Sequence, residues 1–204
     1  MSSEPHLSVR GAAEPRVLVL LLPGGNADST AAARRYGVAY LRMLPFGRAV
    51  AGPGVAVWRL RYRMRGWNEP ERHPVGDARW ALAEAARRHP GVPVVLVGHS
   101  MGGRVALHVA TEPGVGGVCA LAPWIEPPDQ DLPVPADLPL LVAHGDRDRI
   151  TDPAASRRFV VAHGARFVPV PGGGHTMLRH WRTWNRIVRE FVSPWTRPRS
   201  AGRR

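Results

Sequence analysis

Apolar residues in this chain fall in short blocks, separated by longer stretches where they recur every three or four positions. Residues 16–22, 55–62, 94–97, 115–121, 140–144 and 167–170 are such blocks and predict six strands. Runs of four to eight apolar residues bounded by Gly, Pro, Asn or Asp suit a strand buried on both faces. Helical spacing fills the intervals, over about residues 30–44, 75–89, 103–110, 153–163 and 177–192. Pro45 reads as the stop of the first helix. Asp152 before Pro153 reads as an N-cap followed by proline at the first helical position. Strand and helix alternate throughout, which predicts an α/β fold: a doubly wound, mainly parallel sheet of about six strands with helices on both faces. In such sheets a site belongs at the carboxyl ends of the strands.

One of those ends carries a distinctive sequence. Gly98-His99-Ser100-Met101-Gly102 fits G-x-S-x-G, with the apolar run 94–97 ahead of it and a helical stretch behind it. A serine on a sharp strand-to-helix turn projects its hydroxyl above the sheet, beside the N–H groups of the new helix. Ser100 is therefore the candidate nucleophile, and a helix-capping serine is the bland alternative. A serine hydroxyl is a poor nucleophile unless a base lies within hydrogen-bond reach and a carboxylate orients that base. Two further strand ends supply candidates: His144-Gly145-Asp146-Arg147-Asp148 and Pro171-Gly172-Gly173-Gly174-His175. The order Ser, Asp, His suits this topology. His175 is the candidate base, with His180 the alternative inside a helical stretch. Asp148 and Asp146 compete as the acid, and His99 reads as packing. None of the nine histidines has metal-ligand spacing with cysteines or carboxylates, so neither a metal nor another cofactor is expected.

Composition narrows the class without naming a function. At 204 residues, 44% hydrophobic and 22% charged, the chain is long enough for one sizeable core. The boundaries expected are a largely irregular segment 1–15, a domain 16–193 and a basic tail 194–204. The lone Cys119 excludes an internal disulfide and lies in an apolar run. With no apolar leader and no run of membrane-spanning length, a cytoplasmic protein without a membrane partner is expected. The net charge of +12 comes entirely from arginine, since the chain has no lysine. Residues 182–204 hold seven arginines against one glutamate, half of that charge. The tail reads as a solvated segment, and contact with nucleic acid is the less favoured reading.

The motifs together resemble the α/β-hydrolase family. The serine elbow, the Gly-x-x-Asp turn at 145–148 and the Gly-His of the last loop occur in order over residues 16–192, nearly the whole chain. The resemblance implies that Asp148, at the last position of its turn, is the acid. It implies an oxyanion hole built from the N–H of Met101 and one from the loop 22–26, where Pro23 stands in place of the family's usual His. That alignment assigns Gly25, with Asn26 one residue away. The family commonly has two more strands at the front and a lid after the fourth strand. Here about fifteen residues precede the first strand, room for one short strand at 7–10, and the segment 122–139 carries six prolines. A minimal core with an open site and no lid domain is expected, without the large apolar surface that a lipid interface, and so a true lipase, would need, and with residues 55–62 at the sheet edge. The continuation Trp58-Arg59-Leu60-Arg61-Tyr62-Arg63-Met64-Arg65 alternates apolar and basic, as a half-solvated edge strand does. Its functional reading has Arg63 or Arg65 meeting an anionic substrate group.

The function implied is a serine hydrolase cleaving a small, soluble carboxylic ester or thioester. Asn26, Trp67 and Trp124 are candidate substrate-binding residues. The alternatives are a non-catalytic protein of hydrolase fold that binds nucleic acid or acidic partners through its tail, or a module dimerising through its edge strand. Oligomeric state stays open at this stage.

Overall fold

A computed structural model describes residues 4–197. Seven strands form one sheet: β1 (His6–Gly11), β2 (Val17–Leu22), β3 (Val55–Arg61), β4 (Val94–His99), β5 (Val115–Leu121), β6 (Leu140–Gly145) and β7 (Arg166–Val170). Their spatial order is β1-β3-β2-β4-β5-β6-β7, with β1 antiparallel to β3 and all other pairs parallel. The helices are α1 (Val38–Arg42), α2 (Leu44–Val50), α3 (His73–Arg88), α4 (Met101–His108), α5 (Pro153–Ala162) and α6 (Trp181–Thr196).

The central strands are apolar without alternation because both faces are covered. Leu18, Leu20 and Leu22 pack with α3, α4 and α5. Val17, Val19 and Leu21 point the other way, onto α2 and α6. Each fully buried aliphatic side chain contributes about 1.5–3 kcal/mol relative to exposure. Cys119, on the central strand β5, is fully buried and unbonded. Asp152 caps α5, accepting from the N–H groups of Ala154 and Ala155 with Pro153 at the first helical position.

Several sequence expectations need correction. The sheet of about six strands expected is present and has seven, the additional one being β1, which lies where the sequence left room for a short strand at 7–10. The strand at 55–61 is consequently not the edge; β1 covers it in antiparallel register from His6↔Arg61 to Gly11↔Ala56. The alternation of 58–65 remains, with Trp58, Leu60 and Tyr62 buried, while Arg59 stacks over the Tyr40 ring at 3.9 Å. No helix occupies 30–37. The backbone there bonds to the neighbouring loop instead, Ala33 N–H donating to Arg63 O (3.1 Å) and Ala31 O accepting from Arg65 N–H (2.9 Å). Pro45 does not end a helix; it sits in the first turn of α2, where its missing N–H costs nothing. The last helix begins at Trp181, not near 177, and runs to Thr196. The basic residues from 198 onward lie outside the described residues. The proline-rich segment holds one 3-10 turn, Pro127–Asp131. Among the described residues no helix is long and apolar enough to cross a membrane.

Candidate active site

The carboxyl ends of β2, β4, β6 and β7 deliver the candidate residues to one place. β4 ends in a turn so tight that Ser100 takes φ 57°, ψ −120°, a left-handed φ that L side chains rarely adopt. The turn needs its glycines. A β-carbon on Gly98 would run into the Gly102 carbonyl, and one on Gly102 would run into the Leu22 carbonyl at the end of β2.

Ser100 Oγ lies 2.9 Å from His175 Nε2, and His175 Nδ1 lies 2.8 Å from Asp148 Oδ2. A carboxylate only accepts, so Nδ1 carries the proton and Nε2 is left to accept from the serine. Ser100 is buried but for about 8% of its surface. Burial by itself would raise the Asp148 pKa. Hydrogen bonds from His144 and His175 and from the amides of Ile150 and Thr151 outweigh it and hold the carboxyl well below its usual range. Asp148 Oδ1 accepts from Ile150 N–H (2.8 Å) and Thr151 N–H (3.1 Å). Oδ2 accepts from His175, from Thr151 Oγ1 (3.0 Å) and from His144 Nε2 (3.2 Å). His144 is itself held by Ser156 Oγ at 2.8 Å from its Nδ1. Asp146 turns elsewhere and accepts from Gly172 N–H at 2.7 Å, which ties the β6 turn to the His175 loop. His180 is exposed at the N-cap of α6, not inside the helix.

His99 is buried, and its Nε2–H donates to the His175 carbonyl oxygen at 2.9 Å. Burial and the neighbouring His175 ring lower its pKa to about 3, so it is neutral at ordinary pH. Its contact holds the backbone of His175 against the turn that carries Ser100.

At the loop after β2, the Asn26 N–H is already taken by the Arg65 carbonyl at 2.9 Å. The Gly25 N–H has no backbone partner among the described residues. A β-carbon on Gly25 would collide with the Met101 side chain and the Arg65 carbonyl, so the loop lies directly over the first turn of α4. Met101 is fully buried there as the first residue of the helix.

Trp67 and Trp124, the expected substrate-binding aromatics, both pack against Arg104. Trp67 is fully buried. Both rings clamp the Arg104 guanidinium, with its carbon 4.1 and 4.5 Å from their centroids. Arg104 Nε stands 2.8 Å from Asp129 Oδ2, whose other oxygen meets His108 Nε2 at 2.8 Å. Arg63 is likewise engaged, with Nε 2.5 Å from the buried Asp77. Arg65 remains exposed beside the loop after β2.

An apolar cleft of about 300 Å3, lined by residues including Val38, Phe46, Met177 and Trp181, opens where the loops after β2 and β7 meet. Val38, Leu178 and Trp181 are exposed at its rim. Among the described residues no group of three or more His, Cys, Asp or Glu is arranged to hold a metal ion.

Sequence reasoning missed His144, Thr151 and Ser156, which brace Asp148, and the Arg104 cluster behind the elbow. The one available signal was adjacency, since His144 and Thr151 flank the Gly-x-x-Asp turn.

Comparison with known proteins agrees with this architecture. XC6422 from Xanthomonas campestris, described as an α/β serine hydrolase without a lid, superposes with a TM-score of 0.74 at 19% identity, covering 96% of this chain and 91% of that one. Est1E from Butyrivibrio proteoclasticus gives 0.68 at 16% identity, covering 94% and 93%. TT1662 from Thermus thermophilus gives 0.69 at 22% identity, covering 95% and 94%. These identities speak for the fold alone. Among curated proteins none matches the sequence. A family model described as an alpha/beta hydrolase domain matches residues 56–186, well over half of the chain, and the protein therefore belongs to the alpha/beta hydrolase family.

Proposed function

We propose that this protein is a serine hydrolase that cleaves a small, soluble carboxylic ester or thioester through an acyl-enzyme on Ser100. The observation that carries this reading is the unbroken chain from Ser100 Oγ through His175 to Asp148, with spacings of 2.9 and 2.8 Å. Ser100 Oγ attacks the substrate carbonyl carbon as its proton passes to His175 Nε2. The resulting imidazolium is stabilised by Asp148, which keeps its charge. The negative charge that develops on the carbonyl oxygen is met by the N–H groups of Gly25 and Met101. Collapse breaks the bond to the alcohol or thiol, which leaves with the proton from His175. Water then attacks the acyl-enzyme, giving a proton to His175, and the carboxylic acid departs as Ser100 recovers that proton.

Two features support Gly25 over Asn26 as the second donor: the Asn26 amide is occupied and, among the described residues, the Gly25 amide has no backbone partner. The strained Ser100 backbone is also what a nucleophile on an elbow requires. The test is labelling with a fluorophosphonate probe. Wild-type protein takes up the label and Ser100→Ala does not. Absence of labelling on folded wild-type protein overturns the reading.

A further inference from the structure

A cavity of about 380 Å3 is lined on one side by the loop after β2 that packs over the Ser100 turn. Its lining includes Gly24, Gly25 and Asn26 from the loop after β2, Arg34 farther along that loop, and Arg61 and Arg65 from the end of β3 and just beyond. Gly24 separates it from the reaction site by the thickness of one residue, since a β-carbon there would stand 3.3 Å from Ser100 Cβ.

The three arginines reach this cavity on a fixed frame. Asn26 N–H donates to Arg65 O at 2.9 Å, Arg65 N–H to Ala31 O at 2.9 Å and Ala33 N–H to Arg63 O at 3.1 Å. These bonds sew the two loops together, and Arg61 stands on the last position of β3. No carboxylate lines the cavity. None of Arg34, Arg61 and Arg65 has an acidic partner within 4.0 Å among the described residues. Arg63, Arg79, Arg87, Arg88 and Arg104 each pair with an Asp or Glu; what sets Arg34, Arg61 and Arg65 apart from the chain's other unpaired arginines is that all three line one concavity. Three like charges around one concavity repel each other, and a concave wall of one sign concentrates its field on whatever enters.

We infer that this cavity binds an anionic group, a carboxylate or a phosphate, carried by the substrate whose carbonyl reacts at Ser100. The inference rests on the reading of Ser100, His175 and Asp148 as catalytic. Guanidinium forks match both anions in shape and charge. Val38 belongs to this cavity and to the apolar cleft, so the cationic and apolar surfaces meet at Val38. The substrate class is an anionic ester or thioester with an apolar portion.

The experiment compares substrates that differ only in charge. The carboxylate arm is p-nitrophenyl hemiglutarate against p-nitrophenyl pentanoate. The phosphate arm is S-butyryl-phosphopantetheine against S-butyryl-pantetheine. The wild type favours the anionic member of at least one pair by about tenfold in kcat/KM, and the preferred arm identifies the anion. In Arg61→Gln/Arg65→Gln that ratio collapses towards one, whereas Arg79→Gln, on the distant surface of α3, keeps it. Equal or faster hydrolysis of both neutral members, or an undiminished ratio in the double variant, overturns the inference while leaving the hydrolase reading intact. Calorimetric titration of folded Ser100→Ala with glutarate and with inorganic phosphate covers the case in which no probe is turned over. Binding that disappears on adding the double substitution supports the cavity assignment, and absence of binding overturns it. Failure of the hydrolase reading shows separately, as loss of fluorophosphonate labelling in the wild type.

Discussion

Asp148 shows how much of this site is spent on holding one carboxylate. Its two oxygens accept from two amides, a hydroxyl and two imidazoles. Asp148→Asn removes the charge and presents His175 with an amide that can donate, which favours the wrong tautomer. It lowers kcat by about 10^4-fold, the scale seen for the acid of serine-protease triads, and steady-state assay on any accepted ester reads it. His99 gives a prediction of a different kind. Its pKa in the folded protein is lowered to about 3, against about 6.5 in the unfolded chain. As pH falls below 6.5 the unfolded chain takes up this proton first, so stability declines with a slope of up to about 1.4 kcal/mol per pH unit. The contribution is complete above pH 6.5 and lost progressively towards pH 3. Asp148 is shifted down in the folded state, so its own contribution is present above about pH 4 and is lost only as pH falls below that. Urea denaturation at pH 6.5, 5.5 and 4.5 measures the His99 slope, and His99→Gln flattens it; an unchanged slope would refute the assignment. At this scale Ser100, Asp148 and His175 were legible because each stands in a short motif at a strand end. His144, Thr151 and Ser156 were not, because their roles depend on how the β6 turn folds back over the start of α5.

The element behind the elbow depends on a buried charge. Arg104 on α4 is about 4% exposed and lies between two indoles and Asp129. Burial alone would raise the Asp129 pKa, but His108, the Glu126 amide and Arg104 outweigh this and lower it, so the group is a carboxylate. Arg104→Met leaves that carboxylate buried without its cationic partner and destabilises the protein by about 3–5 kcal/mol. Adding Asp129→Asn recovers part of the loss, and urea midpoints at constant m-value distinguish the two. A loss below about 1 kcal/mol in the single variant would show the pair to be dispensable. Strands were the most legible elements, because 17–22, 94–97 and 140–144 are apolar on both faces. The segment 30–37 was not, because Ala-rich sequence favours helix locally while the Ala33 amide and the Ala31 carbonyl bond instead to residues 63 and 65. Arg104 was likewise invisible, since nothing in the sequence distinguishes it from exposed arginines.

For the whole molecule, the layered α/β plan follows from the alternation of apolar blocks and helical stretches. The edge of the sheet did not, because β1 is short, half-polar and paired with β3, about fifty residues away. Its side chains are mostly exposed, so hydrophobic pattern says little about it. One feature of the interior gives the intact protein an internal reporter. Cys119 is the single thiol of the chain, fully buried on β5, and burial pushes its pKa far up. A neutral thiol walled in on both faces of a sheet does not react with alkylating reagents. Native protein is therefore silent to iodoacetamide, and trapping proceeds only through global opening, with a rate that climbs with urea as unfolding does. Reaction at the speed of a free thiol in buffer alone would contradict the placement of β5. Because a ligand that binds only the native state lowers the population of the open form by a factor of one plus its concentration over Kd, the same thiol can be used to weigh candidate ligands. A compound that slows the capture of Cys119 has bound the folded molecule, whether or not Ser100 can turn it over.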